Sequence, residues 1–153
     1  MHLDRRLTYK SHSLMKRCQL SLRLRDLLRL IDKNSKMSLE NKILIYKFIL
    51  KPVWTYGIQL WGVAAQTNID VIQRFQSKVL RIITNASKYI SNNRIHTDLG
   101  VPTVKDEVSR FSSNYRHRLD NHSNPLARLL TNTENSIRRL KRYHINDLPQ
   151  RFP

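Results

Sequence analysis

Phosphoryl chemistry run by two metal ions needs carboxylates that converge on sites about 4 Å apart, commonly an adjacent acidic pair on a tight turn. No Asp-Asp pair occurs in the chain, and its only adjacent acids are Asp106 and Glu107. They fall at the start of an expected helix, where acidic side chains cap free N–H groups and complement the helix dipole. The six histidines, His2, His12, His96, His117, His122 and His144, show no H-x-x-x-H spacing and no cysteine partner. They are expected at the surface or in hydrogen bonds rather than on a metal. With three glycines in all, no Gly-rich phosphate loop and no G-x-S-x-G elbow can be written,. Catalysis contained within this chain is therefore disfavoured, and no cofactor is expected in it.

Binding is what remains. The chain carries 28 Lys and Arg against 11 Asp and Glu, a formal charge of +17, and such an excess is usually neutralised by a polyanion,. The excess is spread over all three thirds of the chain, with 12 basic residues against 4 acidic in residues 1–50, 6 against 2 in 51–100 and 10 against 5 in 101–153. A neutral domain with a basic tail is thereby excluded. Arg74, Lys78 and Arg81, spaced i, i+4, i+7, would line one helix face over about 10 Å, a spacing that tracks phosphates. Arg25 and Arg29 form a second candidate pair, and Arg138, Arg139, Lys141 and Arg142 a third patch suited to backbone contacts or nuclear import. The same patterns also suit ordinary solvated faces. Trp54, Tyr56 and Trp61 could stack on bases, but lying among Val53, Ile58 and Leu60 they are expected in the core.

Positioning these residues calls for helices. Apolar residues recur every three or four positions, which predicts a mostly α fold, a bundle of about four to six helices. Leu14 to Ile31 reads as the first, with Leu20, Leu24, Leu27 and Ile31 as its apolar stripe. Ser38 is placed to cap a second over Leu39 to Leu50, whose run of Ile43, Leu44, Ile45, Phe48, Ile49 and Leu50 is apolar nearly all round and predicts a central position. Pro52 should end or kink it. Thr67 or Asn68 caps a third, to about Thr84, burying Ile69, Ile72, Phe75, Val79 and Ile83. A short helix from Asn92 to Leu99 stops at Gly100 and Pro102. Thr103, with Asp106 at N3, starts a fourth long helix whose stripe is Val104, Val108, Phe111, Tyr115 and Leu119. Asn124-Pro125 restarts a short helix to Leu130, and the remainder is basic and loosely patterned.

At 153 residues one domain suffices, and a fold of that size buries about 70% of its unfolded surface,. The single cysteine, Cys18, sits among apolar residues and excludes a disulfide framework,. With no apolar leader and no run of 18 apolar residues, neither secretion nor membrane spanning is expected. An intracellular location, nuclear or cytoplasmic, follows as the expectation.

Several blocks carry a family likeness. Leu3-Asp4-Arg5-Arg6-Leu7-Thr8-Tyr9-Lys10-Ser11-His12 resembles the segment that closes the palm in insect jockey-type non-LTR retrotransposon polymerases, where the Tyr9 position is usually Trp. Ser38 to Lys42 and Ile49 to Gly62, with Lys51-Pro52-Val53-Trp54-Thr55-Tyr56-Gly57 at their heart, resemble the most recognisable block after the palm. Gln73 to Arg81, Ile95 to Val104, Asn124-Pro125-Leu126 and Arg138 to Arg142 follow in the family's order. The likeness covers nearly the whole chain. It implies a reverse transcriptase thumb, with residues 1–12 as a strand-like remnant of the palm, 13–131 as the helical domain and 132–153 as a basic tail. It further implies that fingers and palm elsewhere hold the nucleotide, the catalytic aspartates and two Mg²⁺, while this region grips an RNA–DNA or DNA duplex without sequence preference. Two other readings stand beside it: a truncated element with no selected function, and a small basic protein co-opted to bind RNA or DNA.

Overall fold

The computed structural model describes residues 4–129, and among them the regular structure is helical with no strand. Four long rods make the body: α1 (Lys10–Ile31); a composite rod of α2 (Leu39–Ile45), a π-helical turn (Tyr46–Leu50) and α3 (Lys51–Thr55); α5 (Gln66–Thr84); and α7 (Val104–Asp120). Short helices α4 (Ile58–Trp61), α6 (Asn92–Asp98) and α8 (Pro125–Leu129) connect or extend them. α1 lies along α5, the composite rod packs on both, and α4 and α5 hold α7.

The expected strand-like start is a closed turn instead. The Asp4 carboxylate accepts the backbone N–H of Thr8 at 2.7 Å and of Tyr9 at 3.2 Å, and also the Thr8 hydroxyl. Leu7 N–H donates to Asp4 O at 2.9 Å. Side-chain acceptors aimed at successive N–H groups fold the backbone back on itself and leave it no extended partner. Leu7 and Tyr9 adopt φ of 49° and 56°, unusual for residues with a Cβ, and Tyr9 is held there by burial,. α1 then starts at Lys10, so this helix runs straight through residue 12. Its Leu20, Leu24 and Ile31 are buried as the stripe predicts, whereas Cys18 is exposed, on the side away from Leu20.

At Pro52 the composite rod excludes one of the two expected outcomes, and its position departs from the sequence reading. Pro52 does not end it, because the turn before the proline widens: Lys51 N–H reaches back five residues to Tyr46 O, and the helix then continues to Thr55. A π turn absorbs the ring and the lost donor that would break a regular helix. Nor is the rod central. Tyr46, Leu50 and Trp54 are buried, but Leu44 and Ile49 face outward and Phe48 is 75% exposed. Its partners α1 and α5 cover only one side, so a helix apolar all round keeps part of its apolar surface in water. Lys42, on the covered side, is buried with its ammonium 2.7 Å from Asp32 O, which pins this rod to the end of α1.

Trp54 and Trp61 are core residues, each nearly inaccessible, and Trp61 Nε1–H donates to Trp54 O at 3.1 Å. Burying rings of this size contributes roughly 5 kcal/mol each before entropy is counted. Tyr56 is not core: it sits at the extended C-cap of α3, 69% exposed, with the Lys16 ammonium 5.7 Å from its ring centre. Gly57, at φ 67°, makes the reversal into α4.

α5 buries Ile69, Ile72, Phe75, Val79 and Ile83, and also Gln76, Ser77 and Leu80. Neither Thr67 nor Asn68 caps it: the helix starts at Gln66, which puts both inside the first turn, and Ala65 is the cap without a side-chain bond. Asn68 Nδ2–H donates instead to Thr8 O at 2.9 Å. Ser91 caps α6, Gly100 ends it at φ 58°, and Thr103 with Asp106 forms a full capping box on α7. Glu107 shares the first turn of α7 with Asp106, and its carboxylate also makes contacts beyond the helix end. Only 1% exposed, it lies 2.6 Å from the Lys51 ammonium and 2.6 Å from the Arg110 guanidinium, tying α7 to α3.

Candidate nucleic-acid interface

The amphipathic period of α5 determines which side chains leave the core. Arg74 and Lys78 are exposed, Arg74 donating through Nε to Asp70 O at 3.1 Å, one turn back. Both border a groove of about 590 Å³ lined by Lys33, Ser77, Arg81 and Asn85 as well, with Asp32 at its edge. A second concavity of about 520 Å³, lined by Leu28, Arg29, Asp32 and Asn34, shares Asp32 with it. Arg29 at the end of α1 and Lys33 just beyond it thus line two concavities that share Asp32, and Arg74, Lys78 and Arg81 of α5 line the larger one. Asp32 is the one acidic residue in these two linings, so the surface is electropositive,. Arg25 is exposed one turn before Arg29 on α1. Arg138, Arg139, Lys141 and Arg142 lie outside the described residues.

Arg81 has another task. Its Nε–H donates to Asn92 Oδ1 at 2.9 Å, one terminal nitrogen to Ser87 O at 3.0 Å and the other to Ile90 O at 2.6 Å. A guanidinium offers five donors in a planar fork, and here that fork fixes the segment between α5 and α6. Arg81 therefore shapes one wall of the groove, while Arg74 and Lys78 face its opening.

Beneath this surface a polar network holds α6 and α7 against α5. Gln73 Oε1 accepts Val104 N–H at 2.8 Å, which leaves its amide to donate to His96 Nε2 at 3.1 Å. His96 Nδ1 must then carry the proton and donate to Val101 O at 2.8 Å,. Gln76 Nε2–H adds a bond to Pro102 O at 2.8 Å. Periodicity does not single out Lys33, which lines the groove from a turn, or Gln73 and His96, which form the network beneath it.

Among the described residues no group of three or more His, Cys, Asp or Glu side chains could hold a metal ion. No helix among them is long and apolar enough to cross a membrane.

Comparison with known proteins gives a consistent result. The chain is 43% identical over 151 residues to a probable RNA-directed DNA polymerase from transposon X-element of Drosophila melanogaster, covering 99% of this chain and 16% of that relative. It is 39% identical over 142 residues to the probable RNA-directed DNA polymerase from transposon BS of the same fly, covering 92% and 15%. It is 37% identical over 157 residues to the RNA-directed DNA polymerase from mobile element jockey of Drosophila funebris, covering 97% and 17%. No family model and no solved structure matches it. The chain spans about one sixth of the length of these curated relatives. Over nearly its whole length, this chain is a homologue of one segment of the jockey, X-element and BS transposon RNA-directed DNA polymerases.

Proposed function

We propose that this chain is the helical, thumb-like part of such a polymerase and grips a primer–template duplex through its phosphates. The observation that carries the reading is the convergence of Arg29, Lys33, Arg74 and Lys78 on adjoining concavities in a chain of net charge +17. Phosphate contacts position a duplex without reading its sequence, so RNA–DNA and DNA duplexes should bind alike to first order.

The Mg²⁺ ions of the polymerases it resembles do not fit these residues. Asp106 is engaged in its capping box and Glu107 in two ion pairs, and among the described residues no group of three or more His, Cys, Asp or Glu side chains could hold a metal ion. The chemistry belongs to parts of the polymerase this segment does not match, and the role here is grip.

The test is fluorescence anisotropy of short blunt duplexes titrated with the protein over a salt series. Four phosphate contacts give a slope of about −4 in log K against log salt, and Arg74→Ala with Lys78→Ala should bring it to about −2. An unchanged slope in that double variant removes the α5 face from the interface.

A further inference from the structure

We propose that the loop between α5 and α6 carries a base-stacking platform, Tyr89, that engages an unpaired nucleotide where a duplex passes into single strand. The proposal rests on the phosphate-grip reading for the presence of nucleic acid at the neighbouring groove, and goes beyond it by assigning a second contact of different chemistry.

Tyr89 is 84% exposed, the most exposed of the large apolar and aromatic residues described. An aromatic ring so fully in water contributes nothing to the core, and the loop around it is built rather than slack. Asn85 turns the chain out of α5 in the left-handed region at φ 51°. Ile90 N–H donates to Ser87 O at 3.1 Å, closing a turn with Lys88 and Tyr89 at its tip. The Arg81 guanidinium then grips this turn from beneath through Ser87 O and Ile90 O, and ties it to Asn92 at the start of α6. A partly buried arginine making three bonds to one short segment removes most of that segment's freedom before any ligand arrives, and preorganisation of this kind raises affinity by lowering the ordering cost of binding.

The place of the loop completes the argument. Its two ends, Asn85 and Ala86 on one side and Asn92 on the other, line the same groove as Arg74 and Lys78. A strand whose phosphates follow that groove therefore runs past the loop's foot. The Lys88 ammonium lies over one face of the Tyr89 ring, 5.3 Å from its centre, so a base would stack on the opposite face with this cation near its phosphate. Stacked base pairs in a continuous duplex present no free π-face to a side chain, whereas an unpaired base does, so the ring selects for a junction or an overhang. Arg81 is a positioning residue for this contact and does not itself touch the base.

The experiment compares a blunt duplex with the same duplex bearing a single-stranded extension, using the whole chain. The expected result is roughly tenfold tighter binding of the extended duplex, in line with one base–aromatic stack. Tyr89→Ala should erase that preference and leave blunt-duplex affinity unchanged, while Tyr89→Phe should keep it. Arg81→Ala should weaken the preference and raise amide exchange of residues 87–90. Equal binding of both duplexes by the wild type, or a full preference in Tyr89→Ala, overturns the platform and leaves the phosphate grip standing. Failure of the wild type to bind either duplex overturns the grip reading, and the platform with it.

Discussion

The Lys51 ammonium lies 2.6 Å from a carboxylate oxygen of Glu107, and the two residues are unequal in their access to water: the Lys51 side chain is 19% exposed and that of Glu107 1%. Arg110, on the other oxygen at 2.6 Å, is 57% exposed. Removing the lysine strands a buried carboxylate with one solvent-facing partner, whereas neutralising the glutamate leaves an ammonium that can turn toward water. Lys51→Met should therefore cost about 3 kcal/mol and Glu107→Gln about 1 kcal/mol in urea unfolding. The reverse order would show that Glu107 is better solvated than its burial indicates.

The turn that opens the described chain should be acid-sensitive. The Thr8 hydroxyl, with smaller help from the backbone N–H groups of Tyr9 and Thr8, holds the Asp4 carboxyl below its ordinary value of 3.8 against a weaker opposing effect of desolvation. A depressed carboxylate stabilises the fold above its unfolded value, and that contribution is lost as pH falls through the lower folded one. Amide shifts of Thr8 and Tyr9 should move together below about pH 4, releasing Tyr9 from its left-handed backbone. Asp4→Asn should abolish this titration; a titration that persists in the variant would assign it to another group.

Arg74 and Arg81 share a helix face in sequence but not a role in the fold. Arg81→Ala loses three hydrogen bonds at a partly exposed site and should destabilise by about 1–2 kcal/mol. Arg74→Ala should change stability by no more than about 0.5 kcal/mol, as an exposed surface substitution does. Thermal melts of the two variants decide it, and equal losses would return Arg81 to the solvated face.

That pair also marks how far the sequence could be read. The apolar period of α5 and the Thr103–Asp106 capping box are local, so the helix, its buried face and the cap were all legible, as were the Trp54 and Trp61 positions in the core. Arg81's partners lie in a loop with no period of its own, and Lys33 reaches the groove only because α1 ends beside α5. Phe48 shows the complementary limit: hydrophobicity all around a helix states what could be buried, while the number of neighbouring helices decides what is. The π turn before Pro52 was hidden for another reason, since a one-residue widening leaves the apolar pattern nearly intact.

Gly62 sits where α4 meets α7. Its backbone is ordinary, at φ −60°, so the glycine is not required for conformational freedom. Space is the reason: a Cβ there would stand 2.7 Å from Ile58 O and 2.8 Å from Val108 Cγ1. Val108 is fully buried and the Ile58 carbonyl is backbone, so neither can move aside without shifting a helix. Gly62→Ala should cost about 2–3 kcal/mol through overpacking. Gly100 is the opposite case, with φ 58° and nothing within 4 Å of an added Cβ, so Gly100→Ala should cost only the backbone strain, about 1 kcal/mol,. Adding Val108→Ala to Gly62→Ala should recover part of the loss by opening room for the new methyl, whereas adding it to Gly100→Ala should simply add a cavity cost. If the two double variants behave alike, α4 and α7 are not in the close contact that Gly62 permits.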